Sequence, residues 1–230
     1  EIIHTIFSKK DLGIEKISVV KIPKKRAQMH IDTIFTQVKR NVWVLYGRYS
    51  DKILKAEEDI KQSYLKKLSH TPRKTELEEV EIFQFYKKTT DPYQKNKDYS
   101  CKNAPSGLEA LLRHISEVDF GVAPQDVKII YSGDNEFPYD EREQWTDSCN
   151  VVALKEGVVI SYDRNDKTTE TFERAGFTVL TTDQVFAMFE SGVNPHSLED
   201  TIILIPSAEL SRARGGSHCM SMPLLRDNWS

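Results

Sequence analysis

Near the end of the chain, a cysteine follows a pair of glycines in the segment Arg214-Gly215-Gly216-Ser217-His218-Cys219. Glycine lets the backbone turn sharply and approach a ligand closely. A thiol presented on such a turn can act as a nucleophile in covalent catalysis. The alternative is a buried structural cysteine, and Cys219 alone does not decide between the two.

A histidine and a carboxylate lie two positions apart in a segment where apolar and polar residues alternate. This period predicts a strand over 30–37, with His30 and Asp32 on one face about 6.5–7 Å apart. An imidazole beside a carboxylate can shuttle protons and anchor a cation. An isolated pair of this kind is more often a polar strand face or a core histidine with a partner.

Length and cysteine usage limit the class of protein. The chain has 230 residues, enough for one or two domains, and no apolar run of membrane-spanning length. It also lacks a signal-peptide pattern at its amino terminus. Its three cysteines, Cys101, Cys149 and Cys219, are widely spaced. This argues against a disulfide framework or a zinc site, so we expect a cytoplasmic protein without a membrane partner.

Charge is distributed unevenly along the chain. Residues 1–100 hold 21 Lys and Arg against 14 Asp and Glu, and lysines alternate with aromatic residues over 83–99. Such mixtures can bind single-stranded nucleic acid. Because Asp91, Pro92 and Asp98 interrupt the segment, we interpret it as a solvated loop beside a strand and predict no nucleic-acid partner.

Hydrophobic periodicity predicts a mixture of strands and helices. Helices are expected over 2–7, 53–68, 106–118, 167–175 and 182–191. Strands are expected over 16–22, 30–37, 42–46, 77–86, 127–131, 150–154, 158–162, 177–180 and 201–205. Thr182 or Asp183 should cap the last helix, and Gly176 should end the one before it. The fold class is therefore α/β or α+β.

Several blocks of the sequence together resemble the arginine deiminases, in the guanidine-modifying (pentein) superfamily. The blocks are His30-Ile31-Asp32-Thr33, Glu141-Arg142-Glu143-Gln144-Trp145, Asn150-Val151-Val152, Gly157-Val158-Val159, Tyr162-Asp163-Arg164-Asn165 and Gly215-Gly216-Ser217-His218-Cys219-Met220-Ser221-Met222-Pro223. They keep the family's order and cover most of 14–50 and 126–227. Residues 51–118 have no counterpart that we can place.

The resemblance implies a pentein-type α/β propeller of five ββαβ modules. Residues 1–230 would form a partial catalytic domain, with about three of the modules and an insertion at 51–118. The family's upstream Asp and Glu-Gly-Gly-Asp segment are not found here. We therefore expect an N-terminal part of the same protein to complete the site, little activity from residues 1–230 alone, and a homo-oligomer.

The resemblance also implies hydrolysis of L-arginine to L-citrulline and ammonia, without a metal or cofactor. Cys219 would be the nucleophile that forms a covalent thiouronium intermediate, and His30 the general acid and base. Asp32 would hold the guanidinium. Arg214, on a mobile loop, would contact the substrate carboxylate, with Gly215 beside it at the hinge. His218 is expected to be structural, because neighbouring residues on a strand point to opposite faces.

Two other classes of function stay open. One is a related guanidine-group enzyme, such as an amidinotransferase or a dimethylarginine or agmatine hydrolase. The other is a non-catalytic binding or assembly protein with the same partial fold. Arg214 has its own alternative, a solvent-facing loop residue without a role in binding.

Overall fold

The computed structural model describes residues 1–50, 52, 80–87, 99–103 and 107–224. The helices are α1 (Ile2–Ser8), α2 (Leu108–His114), α3 (Tyr139–Trp145), α4 (Asp166–Arg174) and α5 (Thr182–Glu190). The strands are β1 (Lys16–Lys21), β2 (Phe35–Lys39), β3 (Val42–Leu45), β4 (Glu81–Lys87), β5 (Tyr99–Asn103), β6 (Lys128–Tyr131), β7 (Val152–Lys155), β8 (Val158–Tyr162), β9 (Thr178–Thr181) and β10 (Thr201–Ile205). Among these residues, no helix has both the length and the apolar composition needed to cross a membrane.

Within the described ranges, the strands form three open sheets. Strands β1, β4 and β5 pair in antiparallel fashion. The second sheet starts with the antiparallel hairpin β2–β3 and adds β6 parallel to β3, with α2 in the connection. The third starts with the hairpin β7–β8 and continues with parallel strands in the order β7-β8-β10-β9. The mixed α/β class predicted from the sequence is confirmed.

Strand β3 lies at the centre of its sheet, and all of its residues are buried. A continuous apolar run is typical of a strand that is covered on both faces. Trp43 also makes a hydrogen bond within this core, since its Nε1 donates to Ser116 Oγ at 2.9 Å. Ser116 Oγ in turn donates to the Arg40 carbonyl at 2.7 Å, which fixes the turn between β2 and β3. This core supports the segment that carries His30 and Asp32, directly before β2.

Most elements predicted from the sequence are confirmed to within about two residues where the structure describes them. The helix predicted over 106–118 continues beyond α2 as a π-helical turn, Ile115–Asp119. Gly176 follows α4 with a φ of 98°, as expected for a residue that ends a helix. The helix predicted over 53–68 lies outside the described residues, as does the beginning of the strand predicted over 77–86.

The predicted cap of α5 is wrong by one residue. The N-cap is Thr181, whose side chain accepts from the Gln184 amide at 3.3 Å. The Gln184 side chain accepts from the Thr181 amide at 2.8 Å and completes a capping box. The reciprocal pair explains why Thr181, and not Thr182 or Asp183, begins the helix.

The strand predicted over 30–37 is also wrong in its first half. A 3₁₀ turn occupies Ile31–Thr33, and the strand begins only at Phe35. Thr33 Oγ1 donates to the His30 carbonyl at 2.6 Å, and the Thr33 amide donates to the same oxygen at 3.1 Å. Such local side-chain bonds compete with strand pairing. His30 and Asp32 therefore do not share one face of a strand.

Candidate active site

Cys219 lies on a turn near the end of the described chain, and the residue is exposed. The Met220 amide donates to the Gly216 carbonyl at 3.1 Å, and the Ser221 amide donates to the His218 carbonyl at 3.1 Å. The prediction that His218 and Cys219 alternate along a strand is therefore wrong. On this turn, both side chains are accessible from the surface.

Asn150 holds the backbone of the Cys219 turn through hydrogen bonds. Its side-chain Oδ1 accepts from the Cys219 amide at 3.1 Å, and its carbonyl accepts from the His218 amide at 3.3 Å. A Cβ atom at position 216 would lie 2.4 Å from Asn150 Oδ1 and 2.7 Å from the Asn150 carbonyl oxygen. Only glycine fits at position 216 without displacing Asn150.

Two further contacts attach this loop to the hairpin β7–β8. Ser217 is buried, and its Oγ donates to the Ile160 carbonyl at 2.7 Å. The Tyr162 hydroxyl donates to the Gly215 carbonyl at 2.7 Å. Burial raises the pKa of Tyr162, and the electrostatic interactions with Asp147 and Cys219 raise it further. The Tyr162 hydroxyl is therefore a hydrogen-bond donor at neutral pH.

The His30–Asp32 turn and the Cys219 turn are in side-chain contact. His218 Nδ1 lies 3.0 Å from Asp32 Oδ2, although the residues are 186 positions apart in sequence. Asp32 Oδ1 is buried and has no hydrogen-bond partner among the described residues. His30, at the start of its turn, is exposed. Asp32 thus has one oxygen in contact with His218 and one that is buried and unpaired within the described ranges.

The side chain of Arg214 is only 7% exposed, so the alternative prediction that it faces solvent is wrong. Its guanidinium carbon lies 4.4 Å from the centre of the Trp145 ring. Its Nη2 donates to the Ala27 carbonyl at 2.9 Å and lies 3.5 Å from Asp147 Oδ1. Stacking combined with a charged partner is a typical use of arginine. We call this place, formed by Ala27, Trp145 and Asp147, the arginine slot.

Asp147 connects the slot to the loop. Its Oδ2 accepts from the Gly215 amide at 2.9 Å. Burial raises the pKa of Asp147, and the Gly215 hydrogen bond and the charge of Arg214 oppose that shift. Weaker effects come from Asp32, which raises the pKa, and from His30, which lowers it. The pKa of Asp147 is thus affected by four of the predicted site residues: His30, Asp32, Arg214 and Gly215.

Helix α3 supports the slot through a buried carboxylate. Glu143 accepts from the Lys167 amide at 2.9 Å and from the Thr168 amide at 2.8 Å, both in the first turn of α4. A carboxylate at a helix N-terminus satisfies free amides and is stabilised by the helix dipole. The next residue, Gln144, donates to the carbonyls of Ala27 and Thr33 at 2.7 and 3.2 Å. Helix α3 therefore holds both the arginine slot and the His30–Asp32 turn.

Sequence reasoning missed helix α3 and the supporting residues. Glu143, Trp145, Asn150 and Tyr162 belong to blocks on which the resemblance was based, but their contacts could not be inferred from spacing. Asp147 stood outside those blocks. Its signal is a carboxylate in the polar run Thr146-Asp147-Ser148 directly after a short helix, where an Asp can accept bonds from nearby amides.

A cavity of about 520 Å³ adjoins the slot, and Ala27, Gln144 and Trp145 are among the residues that line it. His30, Asp32 and Cys219 do not line it. Asp32 instead contacts His218, the neighbour of Cys219, so we place the candidate site at the Cys219 turn. In the part of the chain that the structure describes, no three His, Cys, Asp or Glu side chains converge as metal ligands would.

The protein has a mixed α/β fold. In its candidate site, the His218 imidazole beside Cys219 contacts Asp32, and the Asp147 carboxylate binds the glycine-containing loop at Gly215. The family model for arginine deiminase matches residues 1–226, and the chain belongs to that family. It is 29% identical over 223 residues to an arginine deiminase of Mycoplasma capricolum subsp. capricolum, which covers 97% of this chain and 39% of the relative. It is 28% identical over 214 residues to an arginine deiminase of Latilactobacillus sakei, which covers 93% of this chain and 38% of the relative. The chain therefore spans less than two fifths of the length of either relative.

Proposed function

We propose that the protein containing this chain hydrolyses L-arginine to L-citrulline and ammonia. The observation that carries this proposal is the contact between His218 and Asp32 at 3.0 Å, which brings the Cys219 turn against the His30–Asp32 turn. The membership of the chain in the arginine deiminase family supports the same reaction. We assign Cys219 as the nucleophile, His30 as the general acid and base, and Asp32, Arg214 and Gly215 as substrate-binding residues.

In the first half of the reaction, the Cys219 thiolate attacks the guanidinium carbon of the substrate. The resulting tetrahedral adduct collapses when its C–N bond breaks, and protonated His30 gives its proton to the departing ammonia. A thiouronium then links the substrate to the sulfur. A bound guanidinium cation favours the thiolate form of a cysteine, so substrate binding and nucleophile activation are coupled.

In the second half, neutral His30 takes a proton from water while the oxygen adds to the thiouronium carbon. The C–S bond breaks, the thiolate returns to Cys219 and citrulline is released. Asp32 accepts hydrogen bonds from the guanidinium nitrogens through Oδ2 when His218 moves away, and through Oδ1, which is buried here and unpaired among the described residues, when the site opens. The remaining hydroxyl proton passes to the released ammonia, which leaves as ammonium, so the reaction balances between substrate, water and His30 without a metal or cofactor.

We further propose a pentein-type propeller, of which this chain would supply about three modules. Two sheets support it, since each starts with an antiparallel hairpin and is extended by parallel strands. Residues 51–118 would include an insertion, and strand β4 of that range pairs with β1. The remaining carboxylates for the guanidinium would come from protein outside residues 1–230.

A stoichiometric assay of the full-length protein tests the proposed reaction. We expect equimolar citrulline and ammonia from L-arginine, with no effect of a chelator. Transfer of the amidino group to an added amine without ammonia release would instead indicate an amidinotransferase. A complete lack of turnover in the folded full-length protein would favour a non-catalytic role. Residues 1–230 alone should show little activity, because Asp32 by itself leaves most guanidinium N–H groups unpaired.

A further inference from the structure

Arg214 is held in the arginine slot by Trp145, Ala27 and Asp147, and the same Asp147 holds Gly215. We propose that Asp147 is a positioning residue that latches Arg214 in this slot until a substrate carboxylate replaces it as the partner of the guanidinium. This inference rests on the proposed function, in which Arg214 binds the substrate. It assigns a role to a carboxylate that takes no part in the chemical steps.

The conformation in which Arg214 is latched is energetically unfavourable for its backbone and for its guanidinium group. Arg214 has a φ of 69°, in the left-handed region that residues with a side chain seldom adopt. Its Nη1 atom is buried and has no hydrogen-bond partner among the described residues. A buried donor without a partner is costly, and an arginine offers five N–H groups in a fixed fork. The strained backbone and the missing hydrogen bond together indicate that the surrounding contacts impose this conformation on Arg214.

Asp147 is suited to impose that conformation because it is itself fixed. Its side chain is only 2% exposed. Its amide donates to the Gln144 carbonyl at 3.2 Å, and its carbonyl accepts from the Asn150 amide at 2.9 Å. One carboxylate oxygen faces Arg214 and the other binds the Gly215 amide. The side chain and the backbone of the loop are thus held by the same group.

Exchange is chemically reasonable because a substrate α-carboxylate offers the same acceptor geometry as Asp147. The Asp147–Arg214 contact is long, at 3.5 Å, and Nη1 is free to gain a bond on release. When Arg214 leaves, Asp147 keeps the Gly215 amide as its partner, so the backbone of the loop can stay in place while the side chain moves.

The latch predicts a selective effect of Asp147→Asn in the full-length protein. Asparagine keeps an oxygen for the Gly215 amide but removes the charge that attracts Arg214. Because the binding-competent population rises, the KM for L-arginine should fall by about threefold or more. Agmatine has a guanidinium but no α-carboxylate, so its inhibition constant should change less than about twofold. In the Arg214→Ala background, Asp147→Asn should no longer affect the KM for L-arginine.

A KM for L-arginine that is unchanged or raised in folded Asp147→Asn protein would overturn the latch. So would an equal effect on agmatine, or an effect that persists without Arg214, since a purely structural Asp147 would act in that way. Wild-type citrulline production, measured first, tests the proposed function separately from these ratios.

A binding experiment tests the latch without turnover. In the Cys219→Ala protein, L-arginine should change the Trp145 fluorescence as the Arg214 guanidinium leaves the ring. Agmatine should not produce this change, and the change should be absent in the Cys219→Ala/Trp145→Phe protein. An identical response to both ligands, or a response that survives Trp145→Phe, would overturn the proposal.

Discussion

His218 Nδ1 lies 3.0 Å from Asp32 Oδ2, and this contact joins two turns that are 186 residues apart in sequence. His218 is the immediate neighbour of Cys219, and Asp32 follows His30 by two positions. The histidine therefore occupies one of the two oxygens that a guanidinium would use. If Asp32 binds the guanidinium as we propose, a substrate cation must compete with His218 for it, whereas nothing in the proposed chemistry requires His218 to exchange a proton with the substrate.

The two histidines should consequently respond differently to substitution in the full-length protein. His218→Asn should change the KM for L-arginine more than kcat, because it alters the competition for Asp32. His30→Asn should lower kcat by about 10²–10⁴-fold, since it removes the group that we propose as general acid and base. Steady-state citrulline assays of both variants measure the difference. The reverse pattern would exchange the roles that we assign to His30 and His218.

Cys149 and Cys219 should differ sharply in reactivity. Cys219 is exposed, whereas Cys149 is fully buried and its burial raises the pKa of its thiol. A thiol must be both ionised and accessible in order to be alkylated. Iodoacetamide should therefore modify Cys219 in the native protein and spare Cys149 until the protein is unfolded. Peptide mass spectrometry locates the label.

Replacement of the same two residues by alanine extends this comparison. Cys219→Ala should abolish turnover and leave the Tm almost unchanged, because the side chain packs little. Cys149→Ala removes a core side chain, so it should lower the free energy of unfolding by about 1 kcal/mol and retain turnover. Protection of Cys219 together with loss of turnover in Cys149→Ala would contradict the nucleophile assignment.

Local periodicity explains which parts of the fold could be predicted from the sequence. Strands such as Val42–Leu45 and Val158–Tyr162 carry compact apolar runs, and these were correctly predicted. Helix α3 was missed because its seven residues, Tyr139–Trp145, are mostly polar and show no apolar period. What fixes it is the bond of Glu143 to the start of α4, a tertiary contact that leaves no periodic signal.

The candidate site was also only partly predictable from the sequence. The residue types of the Cys219 loop and the His30–Asp32 pair indicated guanidine chemistry, and the comparisons bear out the family. The geometry of that pair was predicted incorrectly, because Thr33 bonds to the His30 carbonyl and closes a turn. The arginine slot could not be foreseen, since it brings Arg214 against Ala27 and against Trp145 and Asp147, which are distant from Arg214 in sequence.

Gly216 provides a test of how closely the Cys219 turn must pack on Asn150. Because a Cβ would lie 2.4 Å from Asn150 Oδ1, Gly216→Ala must displace the turn or Asn150. We expect it to lower the free energy of unfolding by about 1–3 kcal/mol and to reduce kcat strongly. Tm and citrulline assays on the same preparation measure both effects.

Gly192 is the matched control for Gly216. It has a φ of 93°, so alanine is strained there, but no atom lies within 4 Å of its added Cβ. Gly192→Ala should cost about 1–2 kcal/mol of stability and leave kcat unchanged. Equal kcat values for the two variants would show that the packing of Gly216 on Asn150 does not position Cys219.

A pH-dependent contribution to stability comes from Glu109, on α2. Burial alone would raise the pKa of Glu109, but hydrogen bonds from Ser50, Arg113 and Tyr131 together outweigh it and lower the pKa below its usual value of 4.5. Arg113 Nε donates to Glu109 at 2.7 Å, and the Tyr131 hydroxyl donates at 2.9 Å. The carboxylate thus ties α2 to β6.

Because the pKa is lower in the folded state, the ionised carboxylate stabilises the fold above the pKa of the unfolded chain, and this stabilisation disappears as the pH falls through the folded value. Glu109→Gln should therefore lower the free energy of unfolding by about 1.5–3 kcal/mol at pH 7, the range for hydrogen bonds to a charged group. The difference from wild type should shrink progressively below pH 4.5, where wild-type Glu109 becomes protonated in the unfolded chain and then in the folded protein. Urea unfolding of both proteins between pH 3 and pH 7, with reversibility checked at each pH, measures this difference. A difference that stays constant over that range would show that the shape of Glu109, and not its charge, stabilises the contact between α2 and β6.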